Sequence, residues 1–209
     1  RQGGASGRAF YARCRLRRRI ITQIRLHFIM SFTNDMTSFG EQHNNFMDKV
    51  QIVILAAGAG KRMGRDDLPK VLIPFRGKPL VQNLLDEIKK SGVCSKPVII
   101  VGQKAEMVKE ALGSKYTYVF QVEQLGTGHA VMCTQKVLEG KVENIMVLNG
   151  DHPLVTAEMI QKLASYHLSQ NKVITLGVVK APDFKDWRKN FYDYGRIIRD
   201  SDGKLVLNN

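Results

Sequence analysis

The sequence predicts an α/β protein, a Rossmann-like and mainly parallel sheet with helices on both faces. Three observations carry the prediction. Short apolar runs at 52–55, 98–101 and 145–148 lack polar alternation, as strands buried on both faces do. Helical patterns alternate with them along the chain, which implies βαβ units. The first run passes directly into Ala56, Ala57, Gly58, Ala59 and Gly60, a strand end opening into a loop of small residues.

Taken in order, residues 50–55 form the first strand. Residues 70–74 are extended, because residues before proline avoid the helical region. The string Arg76-Gly-Lys-Pro79 turns the chain, and Pro79 suits the first turn of a helix whose face is Leu80, Leu84, Leu85 and Ile88. That helix stops near Ser91-Gly92. Residues 98–101 make a second strand, followed by a short helix bearing Ala105, Val108, Ala111 and Leu112. A third strand covers 116–121. Gly126-Thr127-Gly128 opens a helix with Ala130, Val131, Thr134 and Val137 on its packed side. A fourth strand, 145–148, is halted at Asn149-Gly150-Asp151. Thr156 caps a helix with Met159, Ile160, Leu163 and His167 on one face. A fifth strand spans 173–179, and 194–207 reads as a hairpin turning at Asp202-Gly203.

The 209 residues suffice for one good-sized domain, or a domain with an appendage, and carry a net charge of +13. Eight arginines against Asp35 and Glu41 place +6 of that charge in residues 1–47, leaving +7 for the rest. The headline charge is therefore no argument for nucleic acid. Residues 1–47 form a basic leader, and 48–209 the expected domain. The leader reads as a transit peptide, as a nucleic-acid or membrane arm, or as upstream sequence with starts at Met30, Met36 or Met47; the last is favoured. It is expected to be disordered or non-native. Cys14, Cys94 and Cys133 show no ligand-like spacing, which suits a reducing, cytoplasmic setting. No run of about 18 apolar residues exists to span a membrane. Oligomeric state is not encoded legibly.

The glycine loop is neither of two familiar types. A P-loop needs a hydroxyl residue after its lysine, and Gly60-Lys61 is followed by Arg62. The dinucleotide fingerprint needs a third glycine where Met63 stands. What remains is a run of small residues whose N–H groups can converge on an anion, with cations at Arg62 and Lys70 and an acid at Asp151. In open parallel sheets ligands bind beyond the carboxyl ends of the strands. That rule gathers the loop after Leu55, residues 121–128 and residues 149–151 into one cleft.

Five strings in order then support a resemblance: Leu55-Ala-Ala-Gly-Ala-Gly-Lys-Arg-Met63, Leu68-Pro-Lys-Val-Leu72, Gln121-Val-Glu-Gln-Leu-Gly-Thr-Gly-His-Ala130, Gly150-Asp151 and Tyr194-Gly-Arg-Ile197. Together they resemble the sugar-nucleotide pyrophosphorylases, nucleoside-triphosphate transferases, and most closely the uridylyltransferase branch that makes UDP-N-acetylglucosamine. The resemblance implies a Mg²⁺-dependent transfer of UMP from UTP to a sugar 1-phosphate. It implies that Leu55, Ala56, Ala57, Gly58, Gly60 and Lys61 surround the nucleotide. Arg62 would hold the leaving pyrophosphate, and Lys70 the α-phosphate and the incoming sugar phosphate. Gln121, Gly126 and Thr127 would match uracil, Asn149 and Gly195 the sugar, and Asp151 the metal.

Plainer readings stand beside these. Gly58 and Gly60 could serve only a tight turn, and Lys70 and Arg62 could be surface cations. His129 reads as a packed residue at a helix start rather than a catalyst, and His152 is set aside because Mg²⁺ seldom takes imidazole. Asn149 stands where some relatives carry an aromatic residue, and 183–194 is longer than the matching family segment. The family's remaining sugar contacts and second metal ligand lie past Asn209, so the chain is expected to be C-terminally truncated.

Overall fold

The computed structural model describes residues 19–22, 49–58, 67–170, 173–179, 181–192, 197–199, 201–202 and 205–206. Along the chain run β1 (Arg19–Thr22), β2 (Val50–Ala56), β3 (Pro74–Phe75), β4 (Lys78–Pro79), α1 (Leu80–Ser91), β5 (Val98–Val101) and α2 (Ala105–Leu112). Then come β6 (Thr117–Phe120), α3 (Thr127–Cys133), α4 (Gln135–Leu138), β7 (Asn144–Asn149), α5 (Ala157–Ser169), β8 (Ile174–Thr175), β9 (Ile198–Arg199) and β10 (Leu205–Val206). Six strands form one sheet in the order β6-β5-β2-β7-β1-β8, every pairing parallel. The fold class expected from the sequence is the one observed.

Strand alternation divides the core into two layers. Ile52 and Ile54 of β2 pack with Leu84 and Ile88 of α1, Val108 of α2 and Ile160 and Ala164 of α5. Val53, between them, joins Ala130 of α3 and Leu138 of α4 on the opposite face. Both faces of β2 are thus covered, which is why its sequence carries no polar alternation.

The helix ends follow local chemistry. Gly92 ends α1 at φ 66°, its N–H donating to the Lys89 carbonyl. Only a residue without Cβ adopts that conformation at no steric cost. Arg76 and Gly77, both at positive φ, turn β3 back onto β4. At the start of α5 the Thr156 hydroxyl accepts from the Met159 N–H at 3.3 Å. Glu87 of α1 accepts from the Ala157 N–H at 2.9 Å. A carboxylate therefore caps a neighbouring helix where its dipole is positive. On α5, fully buried His167 pairs through Nδ1 with Thr175 Oγ1 at 2.8 Å, fastening β8 to the helix.

Several expectations are corrected. Residues 70–74 are not extended throughout; Lys70–Leu72 is a 3₁₀ turn, with Leu72 N–H donating to Pro69 O. Proline restricts only the residue directly before it, and Ile73, at φ −57° and ψ 132°, is extended and leads into β3. The helix after Gly126 divides at Thr134, whose hydroxyl bonds back to the Val131 carbonyl at 2.7 Å. Within 173–179 the strand proper is only Ile174–Thr175. The hairpin is present as the antiparallel pair β9 and β10. Within residues 1–47, expected to be disordered or non-native, Arg19–Thr22 pairs with both β7 and β8. Ile20, Ile21 and Thr22 are all β-branched, the residue type that favours strands.

The Lys90 ammonium and the Ala157 N–H, in that order, hold the Glu87 carboxyl below its ordinary value, against a smaller opposing effect of burial. A depressed carboxylate stabilises the folded state above its unfolded pKa and loses that contribution as pH falls through the folded value. Glu87→Ala is expected to cost about 1 kcal/mol at neutral pH. Denaturant melts compared at pH 7 and well below pH 4 should show that difference shrinking in acid.

Candidate functional site

Because every pairing in the main sheet is parallel, the carboxyl ends of β2, β5, β6 and β7 lie on one side of the sheet. The chain leaving β2 passes through Ala57, half-buried, to exposed Gly58. Two contacts fix Ala57. Its carbonyl accepts from Gln124 Nε2 at 2.8 Å. Gly102, directly after β5, lies so near that a Cβ there would stand 2.6 Å from the same oxygen. Between them lies an open depression lined by Ala56, Ala57, Gly58, Gly102, Lys104 and Gln124. Lys104 is the cation of that lining.

Lys70 is presented by its 3₁₀ turn, which is anchored by buried Val71 and Leu72. Its Nζ lies 2.7 Å from Asp151 Oδ2, although the two residues are 81 positions apart in sequence. Asp151 is held by the turn after β7. There Gly150 N–H donates to the Leu55 carbonyl at 2.9 Å. A Cβ on Gly150 would lie 3.0 Å from that carbonyl and 3.1 Å from Val71. Glycine at 150 thus lets the Asp151 turn press against both the end of β2 and the Lys70 turn. His152 Nε2 stands 3.6 Å from Asp151 Oδ1. Asn149, on the same face of β7 as Val147, is buried, and its Nδ2 has no hydrogen-bond partner among the described residues. A buried amide left in that state calls for a partner such as a bound water, ion or ligand.

Gln121 continues the β5–β6 ladder by donating its N–H to the Val101 carbonyl at 2.8 Å. Its side chain is buried, with Nε2 directed at the Gly126 carbonyl at 3.3 Å and at His129 Nδ1 at 3.2 Å. Gly126 sits at φ 98° and ψ −178°, a conformation open essentially to glycine, and leads into Thr127 as the first residue of α3.

Among the expected site residues, the structure gathers Leu55, Ala56, Ala57, Gly58, Lys70, Gln121, Gly126, Thr127, Asn149 and Asp151 around the carboxyl ends of these strands. Gly60, Lys61, Arg62 and Gly195 lie outside the described residues. The sequence reading overlooked Gly102 and Gln124, which position Ala57. Their signals were present: a glycine directly after a buried strand, and a glutamine inside the 121–130 string. Residues 183–194 contain a 3₁₀ segment, Asp186–Phe191, tied by Arg188 to Asp183 at 2.7 and 3.0 Å.

The donor set suits a hard divalent cation in one particular way. Among the described residues no cluster of three or more acidic, histidine or cysteine ligands exists, and Asp151 is a carboxylate at the cleft. Mg²⁺ is commonly held by one or two carboxylates with the remaining positions taken by water and substrate phosphates.

Because a Cβ at Gly102 would stand 2.6 Å from the Ala57 carbonyl oxygen, Gly102→Ala is expected to displace Ala57 and Gly58. Thermal unfolding should reveal a loss of about 1–3 kcal/mol, and nucleotide titration a weaker affinity. Unchanged affinity would show that this close approach does not shape the loop.

Comparison with known proteins agrees with this geometry. Residues 52–182 match the MobA-like NTP transferase domain. The bifunctional protein GlmU of Enterococcus faecalis is 44% identical over 157 residues, covering 75% of this chain and 32% of that protein. GlmU of an Exiguobacterium species is 42% identical over 154 residues, covering 74% and 32%. The chain thus spans about a third of the length of these curated relatives. The crystal structure of 4-diphosphocytidyl-2C-methyl-D-erythritol synthase from Anaerococcus prevotii superposes with a TM-score of 0.50 at 18% identity, covering 76% of this chain and 62% of that one, a likeness of fold alone. Among the described residues no helix is long and apolar enough to cross a membrane. With more than half of its length matched, and with the strand-end cleft that the match covers, the chain belongs to the MobA-like NTP transferase family, a family of nucleotidyltransferases.

Proposed function

We propose that this chain carries the nucleotide half of a uridylyltransferase, moving UMP from UTP to a sugar 1-phosphate, most specifically N-acetylglucosamine 1-phosphate. The observation that carries the proposal is the Lys70–Asp151 contact of 2.7 Å beside the end of β2. It joins, at one point, a cation able to follow phosphate oxygens and a carboxylate able to hold Mg²⁺.

In the proposed reaction a sugar-phosphate oxygen attacks the α-phosphorus of UTP. A new P–O bond forms, the bond to the β-phosphate oxygen breaks, and pyrophosphate leaves with the electron pair. The work of the protein is positioning and charge neutralisation. The backbone of Ala57, Gly58, Gly60 and Lys61 would wrap the phosphates, and Arg62 would receive the pyrophosphate. Lys70 would move from Asp151 to the α-phosphate and the incoming sugar phosphate. Mg²⁺ held by Asp151 would supply further neutralisation of the triphosphate. Gln121, Gly126 and Thr127 would hold uracil, while Asn149 and Gly195 would approach the sugar. A cytoplasmic, membrane-free setting suits these substrates, and the reading calls for no nucleic-acid partner.

Equilibrium titration of the chain with UTP, CTP and GTP in the presence of Mg²⁺ tests the reading. UTP should bind most tightly. Lys70→Ala should weaken UTP binding at least about tenfold, since a desolvated charge contact to phosphate is lost. Asp151→Asn should remove most of the dependence of UTP affinity on Mg²⁺. Preference for CTP or GTP would overturn the uridylyl assignment, and indifference of Asp151→Asn to Mg²⁺ would overturn the metal role.

A further inference from the structure

We infer that His129 is a positioning residue that fixes which face of the Gln121 amide is offered to the nucleobase, and so sets preference for uracil over cytosine. The inference rests on the uridylyl reading of the cleft and goes further by assigning the origin of base choice.

The Gln121 side chain is only 4% exposed, so its amide has little opportunity to exchange partners with water. Its Nε2 donates to the Gly126 carbonyl at 3.3 Å and lies 3.2 Å from His129 Nδ1. A backbone carbonyl can only accept, which fixes the NH₂ on the Gly126 side of the amide. His129 Nδ1, facing the same NH₂, must then accept as well. In that tautomer the ring proton sits on Nε2, and the NH₂ of Gln121 has both hydrogens engaged. Among the described residues nothing donates to Gln121 Oε1, and that oxygen is not sealed from solvent.

An amide is planar and two-faced. With its NH₂ secured by Gly126 and His129, the group left for a ligand is an acceptor. Uracil presents an N–H at ring position 3, and cytosine presents a bare nitrogen lone pair there. Set opposite ring position 3, an acceptor-only Oε1 matches uracil and opposes cytosine lone pair to lone pair. Gly126 alone makes a long bond and shares its carbonyl with the Ala130 N–H at 3.1 Å. The second acceptor, His129, is what holds the amide against rotation. Its place on the first turn of α3 keeps ring and amide at this distance.

The test compares the ratio of UTP to CTP affinity in the full chain with Mg²⁺ present, for three variants. His129→Leu fills the space without an acceptor, His129→Asn restores an acceptor at the same reach, and Gln121→Ala removes the amide. His129→Leu should lower the UTP:CTP ratio at least about fivefold, the effect of an imperfectly matched buried polar group, with CTP affinity held or raised. CTP binding also reports that the variant is folded. His129→Asn should keep the parental ratio. In the Gln121→Ala background, His129→Leu should change the ratio no further. An unchanged ratio in His129→Leu, or a fall in His129→Asn as large as in His129→Leu, overturns the positioning role while leaving the uridylyl reading intact. Absence of any UTP preference in the parent chain overturns both.

Discussion

The site depends on β2 being paired in parallel on both sides. Val53 to Ala56 align with Val98 to Val101, and Val50 to Leu55 align with Asn144 to Asn149. That register sets Asn149 level with Leu55, so the turn after β7 meets the end of β2 and Gly150 N–H reaches the Leu55 carbonyl. A slip of one residue would reverse every side chain on β7 and carry Asp151 away from Lys70. The register is protected because Ile54 and Val53 are buried on opposite faces, so slippage would disrupt both layers of the core at once.

From that constraint the two halves of the cleft are held differently. The side proposed for phosphate is held by main-chain proximity: Gly102 against Ala57, where a Cβ would stand 2.6 Å from the carbonyl oxygen, and Gly150 against Leu55, where it would be tight at 3.0 Å. The side proposed for the base is held by a side-chain amide, Gln121 on Gly126 and His129. Backbone contact suits phosphate oxygens, which are alike on every nucleotide. Directional amides suit a base, which must be told from its neighbours by where it donates and accepts.

Much of this was legible in the sequence, for reasons particular residues show. Strands buried on both faces write themselves as unbroken apolar runs, so β2, β5 and β7 were placed within a residue or two. Their parallel pairing then brought Gln121, Asn149 and Asp151 to one edge by topology alone. What was not legible were close approaches and pairings decided in three dimensions. Nothing in a single Gly102 announces that Ala57 O will stand where a Cβ would be. Proline at 74 was given too long a reach, which hid the 3₁₀ turn that presents Lys70. His129 was read as packing because a helix-start histidine commonly is; its link to Gln121 is an eight-residue contact that periodicity does not report. Thr134 dividing the following helix was hidden for the same reason, since its hydroxyl's choice of Val131 O is a local competition that hydrophobic pattern ignores.

The Lys70–Asp151 pair also clarifies the role of net charge. Residues 1–47 hold +6 of the net charge of +13, while Lys70, the cation beside the end of β2, is balanced by an acid 2.7 Å away. A half-buried lysine facing an empty site would suffer desolvation with no compensating partner. Pairing with Asp151 removes that penalty and keeps the ammonium within reach of the place a phosphate would occupy. In the proposed reaction a triphosphate arriving with Mg²⁺ would offer both groups new partners at once, carboxylate to metal and ammonium to phosphate.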